Sequence, residues 1–102
     1  MFTFYDPHQF FKEYDDNEQL IYHWSMDKIE RIDGKVWVIN HMFIAPNQNK
    51  EAVLDKNMAL VMEFAKNTKL PIWPLDPLVI DYFQQHPEFH KIWYHRPAQA
   101  TN

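Results

Sequence analysis

Hydrophobic and polar residues alternate over the first third of the chain in a way that is typical of β-strands. In QLIYHWS, residues 19–25, the side chains of Leu20, Tyr22 and Trp24 fall on one face at a period of two. The polar stretch DDNE separates this segment from an aromatic-rich segment that precedes it. The pattern therefore predicts two strands joined by a polar turn.

Residues 35–45, KVWVINHMFIA, give the strongest strand pattern in the sequence. Asp33 and Gly34, the chain's only glycine, precede this segment and form a pair that is typical of hairpin turns. One predicted face carries Trp37, Ile39, His41 and Phe43, and the other carries Val36, Val38, Met42 and Ile44. Apolar residues on both faces predict a central strand that is covered on each side.

A long amphipathic helix is predicted from about Lys50 to Lys66. Its apolar residues recur at helical spacing and form one stripe: Leu54, Met58, Val61, Met62 and Ala65. Either Asn47 or Asn49 can cap the start of the helix, and Glu51 complements the positive end of the helix dipole. We expect the apolar stripe to pack against the sheet.

Prolines determine the expected structure after this helix. KLPIWPL, residues 69–75, predicts a short strand at an edge of the sheet, because its two prolines have no N–H to donate to a neighbouring strand. Asp76 as a cap and Pro77 at the first helical position predict a second helix, which ends near Gln85.

The order of these elements, β-β-β-α-β-α, predicts the fold class. We expect an α/β (α+β) domain over residues 1–102, with a mixed, mostly antiparallel sheet of about four or five strands. A long central helix and a shorter C-terminal helix accompany the sheet. Residues 1–8 and 96–102 are expected to fray.

Composition excludes several classes of protein. The 102 residues suffice for one domain, and a hydrophobic content of 46% can form a core without cross-links. The absence of cysteine excludes disulfides, thiolate metal sites and a cysteine nucleophile. A net charge of −4 and scattered basic residues argue against a nucleic-acid partner. Without a long apolar run or a signal-peptide pattern, a cytoplasmic protein with no membrane partner is expected.

Two segments carry the sequence pattern of a known family. DGKVWVINHMFIAP is similar to the pattern Asp-Gly…Val-Ile-Asp-His-Thr-x-Val-Pro, and PLDPLVIDYFQQHPEF is similar to Pro-Leu-Cys-x-Phe-Val-x-x-Tyr-x-x-x-His-Pro-Glu-Tyr. Between His41 and Phe89 the chain resembles the small, single-domain N-acetyltransferases of the GNAT superfamily. Residues 9–34 fit the opening hairpin of that family in outline.

The resemblance implies a curved sheet in which two strands, one before and one after the long helix, splay apart. Acetyl-coenzyme A lies in the gap of such enzymes, and its pyrophosphate rests on the N-terminus of the long helix. The cofactor-binding residues implied for this chain are Phe43, Ile44, Asn49, Lys50, Glu51, Ala52, Val53 and Leu54.

The pyrophosphate motif of the family, Arg-Gly-x-Gly-x-Gly, corresponds to residues 49–54, which do not keep its arginine or its glycines. Asn49 replaces the arginine, and the three glycines are replaced by Lys50, Ala52 and Leu54. A Cβ at such positions keeps a phosphate away from the backbone amides. Binding of acetyl-coenzyme A or coenzyme A is therefore expected to be weak or lost.

Three residues are candidates for catalysis under this resemblance. His41 would be the general base that deprotonates an amine, or alternatively a histidine buried in the core. Tyr82 would return a proton to the departing thiolate, or would only pack under the last helix. Asp76, at the position of the family's cysteine, would assist as a base or orient the amine, or would only cap its helix.

The resemblance favours transfer of acetyl from acetyl-coenzyme A to an unidentified amine on a small molecule or a protein. The alternative is a catalytically silent relative that serves as a binding module. No metal site is expected, because Pro87 interrupts the helical spacing between His86 and His90. Either a monomer or a homodimer fits, the latter through an open sheet edge near residues 9–25.

Overall fold

In the computed structural model, which describes residues 4–97, a five-stranded sheet packs on one face against two α-helices. The elements are β1 (His8–Tyr14), β2 (Leu20–Arg31), β3 (Gly34–Ile39), β4 (Phe43–Ile44), α1 (Lys50–Thr68), β5 (Ile72–Pro74), α2 (Pro77–Gln85) and a 3-10 helix (Pro87–Ile92). The strand order is β1-β2-β3-β5, and β4 pairs with β2. The predicted mixed α/β class with a mostly antiparallel sheet is confirmed. Of the ends expected to fray, residues 1–3 and 98–102 lie outside the described part.

Strand β2 is the centre of the sheet and is longer than its sequence pattern predicts. The alternating pattern predicts a strand only to residue 25, but β2 continues to Arg31, because its second half pairs with β3. Along β2 the buried side chains alternate, as Tyr22, Trp24 and Met26 show. The predicted hairpin is confirmed; its turn contains Ile32 and Asp33.

The single strand predicted over residues 35–45 is wrong, because residues 40–42 interrupt it. The Asn40 side chain turns to β2 and donates from Nδ2 to Ser25 Oγ (3.1 Å) and Asp27 Oδ2 (2.7 Å). The chain then forms β4, which pairs with residues 22–23 of the same strand. Strands β3 and β4 therefore lie one after the other along β2.

The core lies mainly between the sheet and the two helices, as the apolar stripe of α1 predicts. Fully buried side chains from both layers meet there: Trp24, Met26, Trp37, Ile39, Met58, Val61, Phe64, Ile72, Val79 and Phe83. Val36 and Val38 face the other side of the sheet and pack with Tyr94. The predicted covering of both faces is therefore confirmed for β3.

One buried polar residue, Asn57, links α1 to the sheet. Its Oδ1 accepts a hydrogen bond from Trp24 Nε1 at 2.8 Å, and its Nδ2 donates to the carbonyl oxygen of Val53 at 2.9 Å. Both polar ends of the buried amide are thereby satisfied, which avoids the cost of desolvating an unpaired group. The bond between Asn57 and Trp24 joins α1 to β2.

The caps of both helices follow the predictions. Asn49, one of the two candidates, caps α1 by accepting from the backbone N–H of Ala52 at 3.0 Å. Asp76 caps α2, with Pro77 at its first position, and that helix ends at Gln85 as expected. Local signals thus determine where both helices begin.

The strand after α1 is an edge strand, as its prolines predict. β5 pairs in parallel with β3 over three residue pairs, from Trp37 and Ile72 to Ile39 and Pro74. One more backbone bond follows, from Leu75 N to the carbonyl oxygen of Ile39 at 3.1 Å. Beyond it the two segments separate, since one continues to β4 and the other begins α2.

Candidate functional site

The point where these two segments separate is the candidate site, which we call the fork and define as residues 40–42 and 75–77. A cavity of about 270 Å³ opens there. Its lining residues are Asn40, His41, Leu75, Asp76 and Pro77. The fork lies at the end of the only parallel strand pair among the described residues, in keeping with the tendency of ligands to bind where neighbouring strands diverge.

The carboxylate of Asp76 bridges the fork. Its side chain is 3% exposed. Oδ2 accepts a hydrogen bond from the backbone N–H of Met42 at 2.9 Å, and Oδ1 accepts one from Leu78 N at 2.8 Å. The expected capping role is therefore confirmed, and a bond to the opposite side of the fork is added to it. Two backbone donors compensate for the burial of this carboxylate.

His41 lies beside this carboxylate and faces the solvent. Its Nδ1 is 3.0 Å from Asp76 Oδ2, and its side chain is 83% exposed. The alternative of a buried core histidine is therefore wrong, because the interruption at residues 40–42 turns this side chain out of the core. The negative charge of the carboxylate therefore lies next to Nδ1, and the exposed ring is open to a group that approaches from outside.

A second cavity, of about 260 Å³, lies between the first turn of α1 and the last turns of α2. Its lining residues are Lys50, Glu51, Leu54, Asp81, Tyr82, Gln85 and His86. Two carboxylates and one ammonium group make this lining acidic when the histidine is neutral. We call it the α1–α2 cavity.

The residues implied to bind the cofactor do not form one surface. Val53 and Leu54 are buried in the core, although Leu54 also lines the α1–α2 cavity. The amide of Ala52 already donates to Asn49 Oδ1. Phe43 and Ile44 line neither the fork cavity nor the α1–α2 cavity. Cofactor binding by this set stays a prediction.

Tyr82 lies away from the fork. It lines the α1–α2 cavity, and its hydroxyl donates to Asp55 Oδ1 at 2.8 Å. Burial, followed by the hydrogen bond to Asp55, raises the pKa of Tyr82 above its usual value, so the phenol keeps its proton. The structure brings together two of the three catalytic candidates, His41 and Asp76, and the role of Tyr82 as an acid stays a prediction.

Sequence reasoning missed Asp55 and the cluster that it forms with Glu51 and His86. Glu51 and Asp55 lie four residues apart on α1, so the helical period already places them on one face. Nothing in the local sequence shows that His86, at the end of another helix, meets them. Only the packing of α2 against α1 brings these three side chains together.

Comparisons with known proteins do not assign a function to this chain. The chain matches no family model, no curated protein and no solved structure. Within residues 4–97, none of the helices combines the length and the apolar character that crossing a membrane requires. The functional proposal therefore rests on the chemistry of the fork and on the resemblance described in the sequence analysis.

Proposed function

We propose that the protein transfers an acetyl group from acetyl-coenzyme A to an amine, with His41 as the general base. One observation carries this proposal: a buried carboxylate, Asp76, lies 3.0 Å from an exposed imidazole at the edge of a cavity. A carboxylate that orients an imidazole is the arrangement that many enzymes use to remove a proton. The resemblance of the chain to GNAT-like enzymes supplies the substrate class.

The proposed reaction needs few side chains. Nε2 of His41 takes a proton from the amine, whose nitrogen attacks the thioester carbonyl and forms an amide bond. The carbon–sulfur bond breaks, and coenzyme A leaves as a thiolate that is then protonated. Asp76 acts as a positioning residue, since its negative charge beside Nδ1 favours the tautomer in which Nε2 is free. Direct transfer of this kind depends mainly on positioning and on one base.

The shape of the sheet supports a donor at the fork. Backbone pairing between β3 and β5 ends with the bond from Leu75 to Ile39, and the chain on either side then turns away. A thioester needs such an opening beside the base. The order of strands and helices also agrees with the resemblance, which implies one splayed pair around the long helix.

A catalytically silent binding module is the second candidate, and two observations favour it. The Asp76 carboxylate already occupies the amide of Met42, which lies where the opening would continue. The first turn of α1, where the resemblance puts a pyrophosphate, faces an acidic cavity in which Lys50 is the only lysine or arginine among the described lining residues. Each carboxylate near that helix end weakens phosphate binding by about 0.3–1 kcal/mol.

The experiment that separates the two candidates combines binding with turnover. Isothermal titration in a buffer with EDTA is expected to show binding of acetyl-coenzyme A below about 1 mM, which corresponds to about 4 kcal/mol. Release of free thiol is expected to require an added amine, supplied as a panel of small amines and lysine peptides. The absence of both binding heat and thiol release at 1 mM donor would contradict the transferase. The binding module would then remain as the candidate.

A charge variant makes this titration sharper. Glu51→Gln removes one negative charge from the first turn of α1 and is expected to strengthen acetyl-coenzyme A binding roughly two- to fivefold. Glu63→Gln, an exposed change elsewhere on the same helix, is the matched control and should leave the affinity unchanged. An equal response of both variants would place the pyrophosphate away from the start of α1.

A further inference from the structure

Three potential metal ligands converge at the α1–α2 cavity. Glu51 and Asp55 project from one face of α1, and His86 follows directly after α2. Each side chain offers a ligand atom, and these atoms lie within 4.8 Å of one another. The cluster contains an imidazole and two carboxylates from separate parts of the chain, so its composition differs from that of a solvated acidic patch.

The imidazole of His86 is held in the tautomer that binds metals. Its Nδ1 lies 2.8 Å from the carbonyl oxygen of Tyr82, which can only accept a hydrogen bond. Nδ1 therefore carries the proton, and the lone pair of Nε2 is free. The ring also stacks on Tyr82, with centroids 3.7 Å apart. A backbone carbonyl bound to the second ring nitrogen is the usual support of a histidine that ligates a metal.

The carboxylate of Asp55 is held by the same residue. The Tyr82 hydroxyl donates to Asp55 Oδ1 at 2.8 Å, so this oxygen has a partner and Oδ2 is available for another. Tyr82 is buried, which fixes the position of its hydroxyl. One buried tyrosine thus orients both an imidazole and a carboxylate through its hydroxyl, its ring and its backbone.

We propose that Glu51, Asp55 and His86 bind one divalent cation, of the Mn²⁺ or Zn²⁺ class, between α1 and α2. Two carboxylate oxygens and one imidazole nitrogen suit these ions, since carboxylates favour Mn²⁺ and imidazole favours Zn²⁺. Bond lengths of about 2.0–2.2 Å require the ligand atoms to move closer together. Exposed Glu51 can make that movement by changing its rotamer.

The proposed site has space for further ligands, and its net negative charge attracts a cation. The adjoining cavity of about 260 Å³ leaves coordination positions open to water or to an anionic group. Asp81 lines the same cavity and adds to its negative charge, while Lys50 opposes it. A bound cation would join the first turn of α1 to the end of α2. This proposal does not depend on acyl transfer.

Titration of the metal-free protein with MnCl₂, and separately with ZnCl₂, tests the site. Calorimetry is expected to show one cation per chain, and the melting temperature should rise at saturation. Asp55→Asn and His86→Gln are expected to weaken Mn²⁺ binding at least tenfold. Asp81→Asn is the matched control from the same cavity and should stay within about threefold. Equal losses in the control, or no binding to the wild type, would overturn the proposal.

A second measurement keeps the result independent of folding defects in the variants. Substoichiometric Mn²⁺ broadens NMR signals of nearby nuclei, so the wild-type protein alone reports the position of the ion. Broadening is expected around residues 51–55 and 82–86. Broadening centred instead on His41, or on His95 and Asp33, would overturn the assignment of the ligands. Melting temperatures of the metal-free variants show whether each one is folded.

Discussion

Replacement of Phe64 by alanine is expected to lower the free energy of unfolding by about 3–5 kcal/mol. Phe64 is fully buried on α1, and its ring meets three others edge-on. Those rings belong to Phe4, Phe11 and Trp37, at centroid distances of 4.8, 5.9 and 5.4 Å. The change removes apolar contact area, leaves a cavity and abolishes aromatic contacts that stabilise beyond their buried area.

Urea unfolding followed by tryptophan fluorescence measures this effect. A loss of that size is a large fraction of the 5–15 kcal/mol that is typical of a domain. Phe10→Ala is the matched control, because Phe10 lies on β1 and is 70% exposed. The control is expected to change stability by less than about 1 kcal/mol. Similar losses in the two variants would contradict the packing of α1 on the sheet.

Replacement of His41 by glutamine is expected to lower kcat/KM for amine-dependent thiol release by about 10²- to 10⁴-fold. Glutamine is polar and of similar size, but it cannot take a proton from an amine. Because the His41 side chain is 83% exposed, the change should leave the fold intact. Affinity for acetyl-coenzyme A should change little, so the loss is expected in kcat.

Two further variants test whether the loss of activity in His41→Gln is specific to the fork. His95→Gln is the matched control, since His95 is also exposed and its Nε2 lies 3.8 Å from a carboxylate oxygen of Asp33, away from the fork. It is expected to retain full activity. Asp76→Asn keeps an acceptor for Leu78 N but removes the charge beside the imidazole, so kcat should fall. Full activity of His41→Gln would place the base elsewhere.

The features that sequence predicts well are those that depend on neighbouring residues. Asn49 and the Asp76-Pro77 pair mark the starts of both helices, because capping needs only a side chain within the first turn. The prolines of residues 69–75 predict an edge strand, since a missing N–H limits pairing wherever the strand lies. Both inferences need no knowledge of the tertiary structure.

The features that sequence does not predict depend on distant residues. The interruption at residues 40–42 follows from the hydrogen bonds of Asn40 to β2. The apolar pattern of residues 35–45 alone predicts one continuous strand. Burial of Tyr94 is another example. Its backbone N–H donates to Ile72 and its hydroxyl to Asp33, and no local pattern close to the predicted frayed end at residues 96–102 indicates these partners.

The candidate site shows the same division. Asp76 is predicted as a helix cap, and one of its oxygens has that role. Its other oxygen accepts from Met42 and lies beside His41, which no local pattern indicates, because α1 and β5 separate these residues in sequence. Asp76 thus serves both the helix and the fork.

The central claim is that a thioester donor binds at the fork beside His41. Titration of ¹⁵N-labelled protein with acetyl-coenzyme A, followed by NMR, tests it most directly. If the donor binds there, the largest shifts are expected at the amides of residues 41–43, with smaller shifts in the first turn of α1. No shifts at millimolar donor, or shifts confined to β1 and the turn after it, would contradict the account.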